Sequence, residues 1–209
     1  MHGLVNKALQ SFISDAFGAA VWRDVAQHAG ITQLLGADGF EAMQSYDDAL
    51  TEAVLDSAVV LLRRPRDSLL EDLGTYLISH ERMEPLRRLL RFGGVSFTDF
   101  LYSLDDLQGR SHLAVPDLAL PDLALSEAGA DSFLLTCSDG PVGFGHVMVG
   151  ILRALADDYG ALVVLEHRGI RRTDGADGTA GTVELIEIEV HDPAYHAGRR
   201  FDLATEAAR

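Results

Sequence analysis

Between Met1 and about Val115 the apolar positions recur at the three-and-four spacing of an α-helix. Leu4, Val5, Leu9, Phe12 and Ile13 share one face, and Phe17, Val21, Trp22, Val25 and Ala26 resume the pattern after a glycine-containing corner. A third helix is predicted from near Tyr46 to Leu61, stopped by Arg63-Arg64-Pro65-Arg66 because proline cannot continue the hydrogen-bond ladder. Asp67 or Ser68 then caps a helix carrying Leu69, Leu70, Leu73, Tyr76 and Leu77. Pro85 fits a helix start ahead of Leu86, Leu89 and Leu90, and Ser96 caps a helix containing Phe97, Phe100, Leu101, Leu104 and Leu107.

The second half is mixed. Ser132 to Ser138 reads as a buried strand, and a helix follows from Phe144 to Asp158. Ala161 to His167 and Thr182 to His191 read as strands on either side of a long hairpin loop from Arg171 to Gly178. In the last strand Val183 and Leu185 hold one alternation phase while Ile186, Ile188 and Val190 hold the other, which predicts a bulge or burial on both faces. The chain after Pro193 reads as a surface tail. With no internal repeat and no low-complexity linker, one α+β domain is the economical reading.

Composition narrows the function. The 209 residues carry 32 Asp and Glu against 17 Lys and Arg, a formal charge of −15 that repels phosphate backbones and anionic bilayers alike. Neither nucleic acid nor membrane is expected as a partner. Cys137 is the one cysteine, so no internal disulfide calls for an oxidising compartment. No uninterrupted apolar run is long enough to span a bilayer, and a cytoplasmic location is the expectation.

Three stretches together carry a family resemblance. The run FGGVSFTDFLYSLDDLQGRSHLAVPDLALPDL from Phe92, the opening MHGLVNKALQSFISDAFGAAVWRDVAQHAGI, and Val149-Gly150-Ile151-Leu152 resemble the heme nitric-oxide/oxygen-binding (H-NOX) domains. The resemblance covers roughly residues 1–190. It implies an N-terminal helical subdomain, about 1–115, packed on a C-terminal subdomain with antiparallel sheet and helices, about 116–190, with 191–209 as a tail. It also implies a heme b between the two parts, NO as a ligand, and a signalling protein such as a kinase or cyclic-nucleotide enzyme as partner. Soluble guanylate cyclase and stand-alone bacterial sensors use this domain.

At the positions that carry the family's chemistry this chain departs from the pattern. The family's proximal histidine lies eight residues before one proline and thirteen before another, and that register places Gln108 against Pro116 and Pro121. A glutamine amide is a poor ligand for ferrous iron. His112 lies four residues on, nearly on the same helix face and displaced by about 6 Å, which makes it the candidate ligand for the heme iron. The family's Tyr-x-Ser-x-Arg motif, which grips the heme propionates, aligns with Thr136-Cys137-Ser138-Asp139-Gly140, where only Ser138 is retained. Glycine offers nothing like the bidentate fork of arginine. The candidate pocket positions are thus His112, Gln108, Ser138, Thr136, Phe97, Leu101 and Leu104.

Two functions follow. One is a sensory or regulatory module with degraded heme ligation, acting through protein contact or through a different hydrophobic small molecule in its pocket. The other is a heme-based gas sensor that uses His112.

Lesser candidates stand beside these. Gly143-Phe144-Gly145-His146 lacks the residues of a phosphate loop and reads as a helix start. His191, Asp192 and His196 match no specific metal spacing. Cys137, on a buried strand, reads as an inert small hydrophobe. Neither His-Glu-x-x-His nor Gly-x-Ser-x-Gly occurs, so no enzyme is expected. Arginines 63, 64, 66, 82, 87, 88 and 91 form the basic concentration of the chain. They read as solvated, salt-bridged helix faces, with a docking patch for an acidic partner as the functional alternative.

Overall fold

A computed structural model describes residues 1–35, 39–83, 87, 90, 94–115, 117, 118, 120–174 and 180–191. Helices α1 (Gly3–Phe17), α2 (Ala19–His28), α3 (Asp48–Leu62) and α4 (Arg66–Ser79) build the first part. Their apolar stripes converge as the spacing predicts: Leu9, Phe12, Ile13, Trp22, Val25, Val54, Leu69, Leu70 and Leu73 share one buried cluster. The expected cap of α4 is corrected. The helix already begins at Arg66, with Pro65 in the capping position, and Asp67 sits inside the first turn, where its charge favours the positive end of the helix.

Ser96 does cap the next helix, with a reciprocal capping box formed by Asp99. The single helix expected from Phe97 to Leu107 is broken, however. Helix α5 (Phe97–Tyr102) ends at Ser103, a 3-10 turn covers Leu104–Asp106, and α6 (Leu107–Ala114) follows. The Ser103 hydroxyl donates to the Phe100 carbonyl at 2.7 Å, and Arg110 donates to the Ser103 carbonyl at 2.8 Å. Ser103 competes for backbone bonds in this way and loosens the helix at that point, while Asp105 accepts from the Leu125 amide at 3.0 Å and so ties the turn to the sheet. The helix start expected at Pro85, with Leu86 and Leu89, lies outside the described residues.

Strands β1 (Asp122–Glu127), β2 (Ser132–Ser138), β3 (Leu162–Asp174) and β4 (Ala180–His191) form an antiparallel sheet in the order β1-β2-β4-β3. Helix α7 (Phe144–Tyr159) packs on one face. Strand β2 has the bounds read from the sequence, whereas β1 is an addition to that reading. The long hairpin loop is also corrected: Arg171 to Asp174 continue β3, paired with Ala180 to Val183 of β4, and the connection lies at 175–179, outside the described residues. The expected irregularity falls in β3, where the register shifts between His167 and Ile170 opposite Leu185. Leu185 is itself buried, although its neighbours Glu184 and Ile186 occupy the other phase. Of the two alternatives expected for the last strand, burial on both faces holds there, while the bulge belongs to its partner β3. The tail from Asp192 onward lies outside the described residues.

The sheet's inner face forms a second buried cluster. Phe133, Leu135, Ile186 and Ile188 meet Leu152 and Leu155 of α7 and Phe100, Leu101 and Leu104. Although α5 and α6 precede the sheet in the chain, they bury their side chains in its core. The two clusters meet where α4 crosses α7. A methyl at Gly74 would lie 2.0 Å from the Val147 carbonyl, and one at Gly150 would lie 2.0 Å from the Glu71 carbonyl, so these helices touch backbone to backbone. No helix among the described residues is long and apolar enough to cross a membrane.

Candidate functional site

The seven pocket positions fall into three environments. Phe97, Leu101 and Leu104 come together in the second cluster, at 3%, 0% and 0% exposure, alongside Phe100, which stacks on Tyr159 with centroids 6.1 Å apart. Gln108 and His112 do not join them. On α6 the buried positions are Leu107 and Ser111, one turn apart, and a step of one residue rotates Gln108 and His112 about 100° away from that face. Both are exposed. The Gln108 amide donates to the Leu120 carbonyl at 3.5 Å, and the next residue after His112, Leu113, is 89% exposed.

Thr136 and Ser138 occupy the third environment. Inward positions on β2 are Phe133, Leu135 and Cys137; Thr136 and Ser138 take the opposite phase and are half-buried. The aligned motif stretch thus directs its retained serine away from Leu101 and Leu104. Asp139 is exposed, in the left-handed region at φ 57°.

The principal polar constellation lies apart from the pocket positions the sequence points to. It lies at the start of α7, in the glycine-rich stretch read there as a helix start. Gly143 caps the helix without a side chain; Glu184 of β4 meets the Gly143 and Gly145 amides, while those of Phe144 and His146 donate to the Pro141 and Gly143 carbonyls. Gly143 N–H donates to Glu184 Oε1 at 2.7 Å and Gly145 N–H to Oε2 at 3.1 Å. His167 Nε2 lies 2.9 Å from the same Oε2, and the Glu184 side chain is only 6% exposed. The His167 ring stacks on His146 at 4.0 Å and 27°. His146 in turn faces Glu71 at 3.4 Å and Asp67 at 3.6 Å, and Arg153 donates to Glu71 at 3.0 Å. The signal in the sequence was a glutamate in the alternation phase of Ile186, Ile188 and Val190.

These groups do not gather as metal ligands. Stacked imidazoles present their ring nitrogens side by side rather than toward a common point, and no cluster of three or more His, Cys, Asp or Glu suited to a metal occurs among the described residues. His191 is exposed, while Asp192 and His196 lie outside the described residues.

Cys137 pairs across the sheet with Glu184. Burial, aided by the Glu184 charge, pushes its thiol up to about 12. Since the thiolate is the reactive form, native protein at pH 8 should leave Cys137 unalkylated by iodoacetamide while denatured protein reacts fully. Rapid native labelling would contradict this environment.

The arginines resolve into ion pairs. Arg64 meets Asp72 at 2.6 Å, Arg66 meets Glu52 at 2.7 Å and Asp56 at 3.2 Å, Arg82 meets Asp15 at 3.4 Å and Arg87 meets Asp158 at 2.5 Å. Arg88 and Arg91 lie outside the described residues. Arg63 is exposed at the C-cap of α3 and makes none of these ion pairs; the other described members make a salt-bridged surface, and exposed pairs of this kind contribute little stability each.

Comparison with known proteins adds to this geometry. The family model described as Haem-NO-binding matches residues 2–167. The chain belongs to the heme-NO-binding, or H-NOX, family. Among curated relatives it is 21% identical over 187 residues to soluble guanylate cyclase 89Db of Drosophila melanogaster, covering 90% of this chain and 27% of that protein. It is 23% identical over 167 residues to soluble guanylate cyclase gcy-31 of Caenorhabditis elegans, covering 79% of this chain and 23% of that one. The H-NOX chain thus spans about a quarter of the length of these relatives. Solved H-NOX structures share its fold. A Cs H-NOX mutant superposes with a TM-score of 0.73 at 12% identity, covering 94% of this chain and 100% of that one. An S. oneidensis H-NOX in its Fe(II)NO ligation state gives 0.69 at 15% identity, covering 92% and 100%. The α+β architecture expected from the sequence is that of the family, and the family places the chain among sensory domains.

Proposed function

We propose that this H-NOX domain works as a regulatory module through contact with a signalling protein, without heme, and performs no catalysis of its own. The observation that carries the reading is the joint placement of the iron-ligand and pocket positions. Phe97, Leu101 and Leu104 are sealed in a contiguous core with Leu135, Leu152 and Ile186, while Gln108 and His112 lie on the solvent side of α6. An axial ligand must reach iron from a rigid helix facing the pocket. Here the helix turns its serine and leucine inward and its amide and imidazole outward. The propionate-gripping arginine is also replaced by Gly140, and Ser138 faces the other side of the sheet. The residues present do not fit a heme.

The relatives are soluble guanylate cyclases several times longer than this chain, which supports a partner of the cyclase or kinase type. The test is the absorption spectrum of protein expressed with a heme precursor, reduced, and then exposed to NO and CO. The expected result is folded protein by circular dichroism with no stoichiometric Soret band. A stoichiometric band that shifts with NO would overturn the reading in favour of a gas sensor, and His112→Ala would then ask whether that imidazole is the ligand.

A further inference from the structure

The sheet is finished differently at its two edges. Along β1 the outward amide of Leu125 donates to Asp105 Oδ1 at 3.0 Å and the Tyr102 hydroxyl reaches Glu127, so α5 and the turn after it close that edge. Strand β3 is the last strand on the other side, and no described strand pairs along its outer edge. Edges of this kind are normally guarded by lysine, proline or a bulge, because their unpaired N–H and C=O groups recruit other chains. Residues 162–167 include neither lysine nor proline, and the bulge comes only after them, between His167 and Ile170. Instead, Leu162 and Val164 stand 58% and 51% exposed on the face of the sheet opposite α7, while Val163 and Leu165 pack against the core cluster. The charge beside this edge is one-sided. Cross-strand pairing sets Glu166 opposite Glu187 and Val164 opposite Glu189 on that same outer face. Like charges directly opposite repel. Arg168 bridges Glu166, at 2.7 Å, and Glu187, which leaves three carboxylates around one guanidinium, with Glu189 exposed.

We propose that residues 162–167 of β3 are a docking edge that accepts an extended, basic segment of a partner protein as a fifth strand. The backbone of that segment completes the open ladder, and its inner row of side chains prolongs the apolar row of Val163 and Leu165. On the outer row a lysine or arginine answers Glu166, and its stem covers Val164. Charge selects this occupant over a second copy of the chain, which would bring Glu166 and Glu189 of two molecules together across the new pair. The bulge after His167 bends the strand and limits the docked segment to the stretch before it. The proposal rests on the reading of this domain as a module that works by protein contact, and not on the absence of heme. A Soret band would overturn the heme-free reading and leave the following measurement untouched. Failure of the measurement would remove this edge and leave contact through another surface standing.

The experiment adds a short peptide alternating valine and lysine to the isotope-labelled chain and follows amide shifts and hydrogen exchange by NMR. Saturable shifts are expected in residues 162–167 of β3 and 187–189 of β4, with slowed exchange of the β3 amides on the free edge. The same peptide with glutamate in place of lysine should not bind. Glu166→Gln combined with Glu189→Gln changes two exposed side chains and should weaken the valine–lysine peptide by roughly three- to tenfold. Shifts scattered over helices and sheet alike, the response of an acidic surface to any cation, overturn the proposal. So does binding indifferent to the two substitutions. A peptide-free chain that sediments as a dimer with its β3 amides already protected would give the edge to a second copy, and overturns it too.

Discussion

Gly150→Ala is expected to destabilise the protein by about 3 kcal/mol, although the same change at an open helical position would stabilise it by about 1 kcal/mol. The added methyl would stand 2.0 Å from the Glu71 carbonyl oxygen and 2.8 Å from the Thr75 amide nitrogen. Both are backbone atoms in the middle of α4, so no side chain can swing aside. Relief requires the two helices to separate by more than 1 Å, roughly the gap between 2.0 Å and ordinary contact, and a dense core resists such a shift. For a chain of this size the melting temperature should fall by roughly 6–12 °C. Gly74→Ala makes the reciprocal clash with the Val147 carbonyl and should cost a similar amount. The double variant should cost less than the sum, because once the helices have parted the second methyl finds room. Urea denaturation of the three variants checks this, and a Gly150→Ala protein as stable as wild type would refute the backbone contact.

Leu104→Ala is the second large effect, and it bears on function. Leu104 has no exposed surface and sits among Phe100, Leu101, Leu135 and Leu152. Cutting a leucine to alanine in a filled core costs about 2–5 kcal/mol, the spread reflecting how far the surroundings collapse. The same residue on the wall of an open ligand pocket would already lack partner atoms on one side, and its truncation in protein free of heme would cost much less. A loss of about 3 kcal/mol by chemical denaturation, within the range for filled cores, is the expected result. A loss under about 1 kcal/mol would mean that Leu104 lines a space rather than a core, and would favour a bound pocket ligand.

The elements that proved legible in the sequence were those whose side chains report their own burial. The stripe from Leu9 to Ile13, the cap at Ser96 and the alternation of β2 each pair a local pattern with a local consequence, whereas at the start of α1 Gly3 and Asn6 are buried in place of the expected Leu4 and Val5. Strand β1 escaped because it is an edge strand with only Leu123 and Leu125 turned toward the core. The extension of β3 through Arg171 to Asp174 escaped for a related reason. Its polar side chains resemble a loop, while its backbone is held by the ladder to β4. The break at Ser103 was foreshadowed by Ser and Asp at 103, 105 and 106, yet the apolar spacing of Leu101, Leu104 and Leu107 runs straight through it.

For the site, residue identities and their register sufficed to recognise the family and to locate Gln108, Gly140 and their departures from its pattern. Those are properties of the chain read in order, and folding does not alter them. The sequence alone left open which way Gln108 and His112 face, since four residues on a helix keep a pair together without saying which side the core lies on. Burial of Leu107 in the sheet's core cluster, and of Ser111 one turn on, decided it. The partner of the first turn of α7 was likewise decided only by tertiary structure. Gly143 and Glu184 stand 41 residues apart, and their contact depends on the strand register that lays β4 beside β2 and β3, not on any spacing along the chain.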